Sequence, residues 1–503
     1  MLAPKGRMHY CLIVFGLLGA VVNFPEGYSN SYPNTSYKSF QQLINDSYIN
    51  RGVEGGISEN LYIWIWSAVL NVWFLGYLLG TFVTPYFTEQ YGRKRTLLGS
   101  SVIALIGSVL SFLSVTLSVP ELFFVSRVVS SMSSGISFGT LILFLQEATP
   151  TEYRGMTSFL SENTFIATTV MGIGFGMDAV FGKNLPVLTG ISIIPAVISI
   201  LLAIPLKETP KFLLLNRNDR IGAMKSLKYY RGDLVDADVV LDEMMLEIDD
   251  DKYSDTSILR SVVTVLREPH LRTPFFIGCL SLQVIVAIWS IIYLSTDILE
   301  VHFSEEVAQL ASFIFIFANF IAGMAGMFII ERFGRRTLVL WLGLFNTISL
   351  ALFVAFDQLA TVYEPLKWGS ILALILFGIT YGIGLGPIAF FITSELVAQQ
   401  HRSVVQSMVF AVNTVSNFAF SFATLPAYTV IQSWSFIPLF IIPSSLSLVY
   451  LYLNMPETIG REVHEIVEEL TARTNTKKIS TTKDKSPIYF CDIDVRKTLD
   501  NSA

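Results

Sequence analysis

The amino-acid sequence predicts an all-α polytopic membrane protein with twelve transmembrane helices, arranged in two pseudo-symmetric six-helix bundles. The 503 residues are 52% hydrophobic and only 15% charged, against about 25% charged in an ordinary soluble domain. Apolar runs near the ~20 residues that a bilayer requires recur along almost the whole chain. Three polar landmarks also recur in the same order in the two halves. These observations indicate lipid as the main solvent and an internal duplication.

The predicted spans form two groups of six, separated by a charged stretch. They lie near residues 9–36, 61–87, 96–117, 120–147, 154–182, 185–206, 271–300, 307–330, 337–357, 365–396, 402–427 and 432–454. We therefore expect an N-terminal bundle over residues 1–206 and a C-terminal bundle over residues 271–455. Residues 207–270 are expected to form a cytoplasmic helical linker, and residues 456–503 a cytoplasmic tail that is disordered past Thr474.

The distribution of lysine and arginine predicts that both termini are cytoplasmic, because short cytoplasmic loops hold the excess of these residues. In that orientation the outside loops contain four basic residues, Lys38, Arg51, Lys183 and Lys367. The outside segment from about Tyr37 to Asn60 contains Asn45-Asp46-Ser47, an N-glycosylation acceptor pattern. We expect a multi-pass protein of the plasma membrane, with Asn45 as its candidate glycosylation site.

The internal repeat has three landmarks. Glu89-Gln-Tyr-Gly-Arg-Lys-Arg-Thr-Leu97 reappears as Glu331-Arg-Phe-Gly-Arg-Arg-Thr-Leu-Val339, each between the second and third spans of its half. Glu147 followed by Arg154 is repeated by Glu395 followed by Arg402, and Glu208-Thr209-Pro is echoed after Pro456 by Glu457-Thr458. The offsets of 242, 248 and 249 positions are typical of duplication with a small drift in loop length. Such repeats are a transporter architecture.

These landmarks resemble the sugar porter branch of the major facilitator superfamily, specifically the animal facilitative glucose transporters. Gly27-Tyr28, Arg127, the run from Lys207 to Asn216 and Gly384-Leu-Gly-Pro387 extend the resemblance over nearly the whole chain. It implies the major facilitator fold and transport by alternating access. It also implies that charges at the inner ends of helices bridge neighbouring helices when the cytoplasmic side is shut; static anchoring to lipid headgroups is the alternative. The arginines among these charges are Arg93, Arg154, Arg335 and Arg402, and we expect them to pair with the glutamates Glu147, Glu208, Glu395 and Glu457.

The resemblance further implies a site of amides and aromatic rings midway through the membrane, between the halves. The amides retained at matching positions are Gln283, Asn319, Asn413 and Asn417. Other matching positions differ, because Val284 and Trp289 replace a glutamine and an asparagine, Phe390 replaces a tryptophan, Gly382 replaces a glutamate, and Glu162 replaces a glutamine. The site is expected to be less polar on one wall, bulkier, and anionic on the other. That composition disfavours an ordinary glucose fit.

Three of the differing residues carry a functional hypothesis and a structural alternative. Trp289 and Phe390 either stack on the solute or only pack within the bundle. Glu162 either binds a polar or cationic substrate, or carries a coupling proton, or is a structural carboxylate. The first span offers only Glu26 as an acidic residue, and we favour uniport.

The sequence disfavours other classes of function. The net charge of -6 and the absence of base-stacking aromatics among the basic loops argue against nucleic acid. Cys11, Cys279 and Cys491 form no metal motif, and with five histidines they leave little chemistry for an enzyme or a cofactor.

We expect a carrier of a small polar solute, a hexose or related sugar, by facilitated diffusion. The alternatives are a non-transporting nutrient sensor and a carrier of a non-sugar metabolite such as a cation. The sequence leaves the oligomeric state open.

Overall fold

The computed structural model describes residues 5–470, apart from residues 54, 150, 233–236, 246–257, 331, 462 and 464. Residues 5–12, 59, 60, 63, 151–155, 158, 258–261, 399, 400, 425, 426 and 429 are described as backbone alone. Throughout the described part, the regular structure is helical, with no strand. The predicted disorder past Thr474 lies outside the described residues.

Twelve long helices, some of them interrupted, follow each other along the described part of the chain. The first six are α1 (Lys5–Val22 and Phe24–Thr35), α2 (Glu59–Tyr91), α3 (Arg93–Thr116), α4 (Pro120–Ala148), α5 (Thr151–Gly176) and α6 (Leu185–Gly190 and Ile193–Ala203). The second six are α7 (Pro269–Val284 and Ala287–Glu300), α8 (Glu305–Ile329), α9 (Arg335–Ala360), α10 (Lys367–Thr380 and Gly386–Leu396), α11 (Gln399–Ile431) and α12 (Ile442–Asn454).

Nine helical segments of the described part are long and apolar enough to cross a bilayer. The segments that match α1, α5 and α11 are not among the nine. These three helices contain clusters of polar residues in their middle turns, for example Glu162 and Asn163 in α5 and Asn413 and Asn417 in α11. Polar side chains in a membrane helix face a protein interior or a cavity rather than lipid. The count of twelve spans therefore stays a prediction, and these three helices are candidates for lining a solute pathway.

Shorter helices lie outside the long ones. The predicted linker contains the π turn Phe212–Asn216 and the helices Arg220–Arg231, Ala237–Met245 and Ile258–Arg267. The segment after α1, which the sequence analysis treats as an outside loop, instead forms the helix Tyr37–Asn50. Phe40 and Ile44 of this helix are buried, which explains why the segment is ordered.

Several helices are interrupted near their centres. α1 breaks at Asn23, whose amide donates to the Ser161 carbonyl (2.7 Å) and the Thr164 hydroxyl (3.1 Å) of α5. α7 breaks after Val284, and α10 passes through a π turn over Tyr381–Leu385. Broken helices free backbone groups and re-aim side chains, and in transporters they surround the solute site. The breaks in α7 and α10 lie close in sequence to Gln283, Trp289 and Phe390, which are implied to bind solute.

The two halves pack against each other along several helix pairs. α5 of the first half packs on α8 and α10 of the second, α2 packs on α11, and α1 packs on α7. Since the basic residues Arg93 and Arg335 begin α3 and α9, we call this end of the bundle the basic end. The other end is covered by the helix Tyr37–Asn50, and we call it the covered end.

Glycines allow α2 and α4 to approach closely. A Cβ atom on Gly80 would lie 2.3 Å from the carbonyl oxygen of Met132, and a Cβ atom on Gly135 would lie 2.3 Å from the carbonyl oxygen of Tyr77. Backbone atoms cannot give way as a flexible side chain would. Small residues at such contacts are the usual basis of helix association in lipid.

We expect Gly80→Ala to destabilise the protein by about 3 kcal/mol or more, because the added methyl group forces two packed helices apart. The yield of monodisperse protein and its melting temperature in detergent would measure this loss. Gly99→Ala on α3 is the matched control, since a Cβ atom at Gly99 meets nothing within 4 Å. Equal melting temperatures for the two variants would contradict the packing argument.

Candidate functional site

Glu162 forms a hydrogen bond between the two halves. Its side chain on α5 is 1% exposed, and its Oε1 accepts from the hydroxyl of Tyr381, 2.6 Å away, in the π turn of α10. Its other oxygen, Oε2, makes no hydrogen bond to another described residue. The sequence analysis singled out Glu162 but not Tyr381, which directly precedes Gly382. The structure places the carboxylate of this site on the first half and its hydroxyl partner on the second.

Asn319 lies at the same crossing of helices. It is fully buried on α8, and a Cβ atom on Gly382 would lie 2.6 Å from its Oδ1. Asn163 approaches α8 from the first half, since a Cβ atom on Gly323 would lie 2.2 Å from its Oδ1. The two glycines therefore leave room for two amides. The polar residues of this crossing form what we call the central cluster: Glu162, Asn163, Asn319 and Tyr381.

The central cluster has unused hydrogen-bonding capacity. Both amide atoms of Asn319, the Oδ1 of Asn163 and the Oε2 of Glu162 are buried without a hydrogen bond to another described residue. Buried polar groups are nearly always paired, and each unpaired one costs roughly 1–3 kcal/mol. Donors and acceptors concentrated at the boundary between two halves fit a hydroxylated solute that supplies the missing bonds.

Trp289 and the neighbouring rings of Phe74, Phe165 and Tyr293 form an aromatic layer next to the central cluster. Its ring on α7 lies 5.5 Å from Phe165 of α5 and 6.4 Å from Phe74 of α2, measured between ring centroids. Phe165 is one helical turn from Glu162. The layer thus joins both halves beside the cluster, with Tyr293 one turn further along α7 at 6.1 Å.

Phe390 makes a second contact between the halves. Its ring on α10 lies 5.2 Å from Phe138 of α4 and 6.1 Å from Phe410 of α11. Both Phe390 and Trp289 are more than nine-tenths buried. In this structure the two rings pack on protein, which is compatible with either role that the sequence analysis left open.

The other implied amides lie on α7 and α11 rather than in the central cluster. Gln283 and Asn413 are half-buried, whereas Asn417 is buried. The Nε2 of Gln283 and the Oδ1 of Asn417 make no hydrogen bond to another described residue. The structure thus brings Glu162 and Asn319 together, and it places these three amides on an adjacent pair of packed helices.

A cavity of about 490 Å³ opens toward the covered end, between α1, α2, α7 and α11. We call it the vestibule. Its wall contains Asn34, Asn71, Tyr293 and Asp297, together with the indole rings of Trp64 and Trp66 and the phenol of Tyr37. None of the seven residues implied to bind solute appears in this wall. Asp297 was recognisable in the sequence as an acidic residue near the end of a predicted span, which by default is a functional candidate.

Glu26 adds a second buried carboxyl group near the central cluster. It is 4% exposed on α1, and its Oε2 makes no hydrogen bond to another described residue. It is coupled electrostatically to Glu162 and to the hydroxyls of Tyr77 and Tyr381. The interior of the first half therefore contains two buried carboxyl groups near the central cluster.

At the basic end, Arg93 connects three helices of the first half. Its Nη2 lies 3.0 Å from Oε1 of Glu147 at the end of α4, and its Nη1 donates to the Thr88 carbonyl of α2 at 3.1 Å. The other oxygen of Glu147 accepts from the Thr209 hydroxyl at 2.6 Å. Arg93 is 1% exposed and Glu147 is 1% exposed, so this is a fully buried ion pair.

The sequence analysis expects Glu208 to pair with an arginine side chain, but in the structure Glu208 binds backbone N–H groups instead. Its Oε1 accepts from the backbone N–H groups of Arg93 (3.0 Å) and Lys94 (3.1 Å), which begin α3. It therefore caps a helix whose first N–H groups have no intrahelical partner. Burial raises the pKa of the Glu208 carboxyl, and hydrogen bonds from the backbone of Thr209 and Lys94 oppose that rise.

The second half repeats the arrangement. The Nε of Arg335 lies 3.6 Å from Oε2 of Glu395, and that oxygen also accepts from the Thr458 hydroxyl at 2.6 Å. Glu457 accepts from the backbone N–H of Arg336 at 3.2 Å, as Glu208 does at α3. The repeated sequence landmarks thus correspond to one repeated set of contacts, and each pair described here joins helices of a single half.

Two arginines complete the set. Arg402 is 2% exposed and its Nε donates to the Val397 carbonyl at the end of α10, 3.3 Å away. Backbone carbonyls five residues earlier likewise accept from Arg93 and Arg335, so each of the three side chains binds a carbonyl at the end of the preceding helix. The backbone of Arg154 belongs to α5, whereas its side chain is outside the described part of the structure.

Asn45, the candidate glycosylation site, lies in the helix Tyr37–Asn50 at the covered end. It is half-buried, and its Oδ1 accepts from the backbone N–H of Ile57 at 3.0 Å. Ser47 of the acceptor pattern is buried and donates to the Ser118 carbonyl at 3.0 Å.

Comparisons with known proteins extend over almost the whole chain. The sequence model of a family described as "Sugar (and other) transporter" matches residues 13–470. Facilitated glucose transporter member 1 of solute carrier family 2, from Gallus gallus, is 28% identical over 454 residues, which cover 88% of this chain and 89% of the relative. Member 7 of that family, from Mus musculus, is 27% identical over 497 residues, which cover 96% and 95%.

Solved structures share the fold. The proton:xylose symporter XylE, bound to 6-bromo-6-deoxy-D-glucose, superposes with a TM-score of 0.76 at 15% identity and covers 92% of this chain and 99% of its own. The major facilitator superfamily transporter FucP, in an outward conformation, gives a TM-score of 0.53 at 12% identity, with 88% and 98% covered. At these identities the likeness concerns the fold alone. It confirms the all-helical, membrane-embedded fold class.

Proposed function

The chain belongs to the family of sugar (and other) transporters, and on this basis we propose that it carries a hexose or closely related sugar across a membrane by facilitated diffusion with alternating access. It is an integral, multi-pass membrane protein, and a transporter rather than an enzyme. The relatives in solute carrier family 2 are facilitated glucose transporters, which favours a sugar as the solute.

The observation that carries the proposal is the unused hydrogen-bonding capacity of the central cluster. Asn319 offers both amide atoms from one half, and Glu162 and Asn163 offer oxygens from the other. A sugar hydroxyl both donates and accepts, so it can pair with either kind of group. A solute bound here contacts both halves, and its release toward one end requires the halves to separate at that end.

The same proposal assigns the remaining predicted features. We place the basic end in the cytoplasm, because it contains Arg93 and Arg335, and the covered end outside, with Asn45 as the glycan acceptor. We propose the plasma membrane as its location. The bundles over residues 1–206 and 271–455 move as the two units, connected by the linker 207–270. Gln283, Asn413 and Asn417 extend the solute site along α7 and α11, and Trp289 and Phe390 border it.

The paired charges at the basic end hold the helices of each half together while the halves move. Arg93 with Glu147 and Arg335 with Glu395 support this role, because each pair joins helices within a half. Glu208 and Glu457 cap helix starts, and Arg154 and Arg402 complete the repeated set. A sensor without transport is disfavoured, since the relatives are named as transporters.

Counterflow in liposomes tests the proposal. Purified protein is reconstituted, and exchange of a labelled hexose is measured against a panel of hexoses, polyols, nucleosides and organic cations. We expect hexose exchange that Asn319→Ala lowers about 10- to 100-fold in kcat/KM, which is the effect of roughly 1–3 kcal/mol of hydrogen bonding. Asn50→Ala is the control, because this exposed amide at the covered end is remote from the cluster. Exchange of a non-sugar alone would contradict the proposal.

A further inference from the structure

The vestibule contains one carboxylate and no balancing cation in its wall. Asp297 lines the cavity, and neither lysine nor arginine does so among the described residues. Two basic residues act electrostatically on the wall, Lys38 on Asp297 and Arg127 on Tyr293. Lys38 forms an ion pair with Glu305. Arg127 donates to the Ser29 carbonyl (2.6 Å) and the Asn30 Oδ1 (3.0 Å). Both cations are thus engaged elsewhere.

Several aromatic rings line the same cavity as this carboxylate. Trp64, Trp66, Tyr37 and Tyr293 line the same cavity, and the rings of Tyr37 and Trp66 meet edge to face at 5.5 Å. Aromatic faces attract cations, tryptophan most strongly. A carboxylate among aromatic rings is the combination that recognises an ammonium group, because it offers a counter-ion and several π faces.

The vestibule also presents polar atoms that lack partners. The hydroxyl of Tyr293 and the Oδ1 of Asn34 are buried without a hydrogen bond to another described residue, and both residues line the cavity. Tyr293 is 6% exposed and Asn34 is 8% exposed. These groups match hydroxyls on the part of a ligand that carries no charge. The wall thus combines recognition of one positive charge with recognition of neutral polar groups.

We propose that the vestibule is a recognition site for amino sugars, in which Asp297 binds the protonated amine, the aromatic rings pack on the apolar face of the sugar, and Tyr293 and Asn34 bind its hydroxyls. This inference rests on the proposed transport of sugars and names the preferred class among them. A second carboxylate, Glu162, lies deeper, beyond the aromatic layer of Phe165 and Trp289, in the central cluster. An amine that leaves Asp297 therefore meets a second carboxyl group along its path.

Competition in whole cells tests the proposal. Uptake of a labelled, non-metabolised hexose is inhibited from outside by D-glucosamine, N-acetyl-D-glucosamine or D-glucose, at a pH where the amine of glucosamine is protonated. A charge-assisted hydrogen bond in a partly solvated site is expected to make glucosamine about tenfold stronger than N-acetylglucosamine as an inhibitor of the wild type. Asp297→Asn is expected to reduce the ratio of their inhibition constants at least about fivefold, with surface expression unchanged.

Glu306→Gln is the matched control, because Glu306 is an exposed carboxylate at the start of α8, outside the vestibule wall. The control is expected to keep the wild-type ratio. Equal inhibition by the two compounds in the wild type, or an unchanged ratio in Asp297→Asn, would overturn the inference while hexose uptake still supported the proposed function.

Thermal stabilisation of the purified protein separates the two ideas further. Glucosamine is expected to raise the melting temperature of the wild type and of Glu306→Gln more than N-acetylglucosamine does, and to lose that advantage in Asp297→Asn. This pattern in a protein that takes up no hexose would contradict the proposed function and support the amino-sugar site. Hexose uptake by a protein that lacks this pattern would support the proposed function and contradict the amino-sugar site.

Discussion

Glu147→Ala is expected to destabilise the protein by about 3–5 kcal/mol, enough to abolish most of the folded protein in the membrane. The substitution leaves Arg93 buried without its carboxylate at 3.0 Å, and it also removes the acceptor of the Thr209 hydroxyl. Both partners of the ion pair are almost fully buried, so water cannot replace the lost contact. The melting temperature in detergent and the yield of monodisperse protein measure the effect.

Two further variants show whether the loss comes from the uncompensated charge. Arg93→Met combined with Glu147→Leu removes both charges, and we expect it to recover a substantial part of the lost stability. Glu121→Ala breaks the solvent-exposed pair with Arg51 at the covered end and is expected to change the melting temperature little. A double variant as unstable as Glu147→Ala would argue that the ion pair itself, rather than the uncompensated charge, stabilises this half.

Glu162→Ala is expected to lower kcat/KM for hexose exchange about 100-fold. The variant leaves the buried Tyr381 hydroxyl without its acceptor at 2.6 Å and removes the free Oε2 from the central cluster. The cost of an unsatisfied buried hydroxyl and of a lost contact to solute is roughly 1–3 kcal/mol. Initial rates of counterflow over a range of hexose concentrations give the value.

Glu162→Gln distinguishes hydrogen bonding from charge at this position. An amide oxygen can still accept from Tyr381, so hexose exchange is expected to remain within about tenfold of the wild type. Competition by an amine-bearing sugar is expected to weaken, since the deeper carboxylate is gone. If Glu162→Gln were as inactive as Glu162→Ala toward hexose, the carboxylate charge rather than its hydrogen bond would be needed for neutral sugars, and our account of Glu162 would be wrong.

The sequence predicted the fold class and the family because both depend on features that repeat. Apolar runs locate helices, and the duplicated motifs at Gly92 and Gly334 mark the junctions before α3 and α9. Gly92 has φ of +95°, a backbone conformation that favours glycine and explains the residue at that turn. The helical fold and the membership of a transporter family were therefore predictable from composition, periodicity and the repeat.

The sequence could not show how the site closes. The hydrogen bond from Tyr381 to Glu162 joins residues 219 positions apart in different halves, and no local pattern encodes that distance. The vestibule likewise depends on helix packing, although Asp297 was visible as an acid inside a predicted span. Glu208 and Glu457 were expected to pair with arginine side chains, but the start of each helix provides backbone N–H groups that these carboxylates bind. Charge counting does not reveal such capping.

Alternating access requires that contacts between the halves break at each end in turn. At the covered end, Nδ2 of Asn34 on α1 donates to Oγ of Ser295 on α7, 3.2 Å away. At the basic end, the Ser403 hydroxyl of α11 donates to Oε1 of Glu89 on α2, 2.8 Å away. Each contact joins one half to the other, and the two lie at opposite ends of the bundle. They are therefore suitable positions for covalent locks.

The most direct test of the account is hexose counterflow after cross-linking at one end. Cysteines are introduced in pairs at Asn34 with Ser295, or at Glu89 with Ser403, after serine replaces Cys11, Cys279 and Cys491, and a short, reducible bifunctional thiol reagent joins each pair. We predict that either cross-link stops exchange and that reduction restores the rate measured before cross-linking, whereas the reagent leaves the rate of each single-cysteine variant unchanged. Undiminished exchange with both pairs fully cross-linked would contradict alternating access between two moving halves.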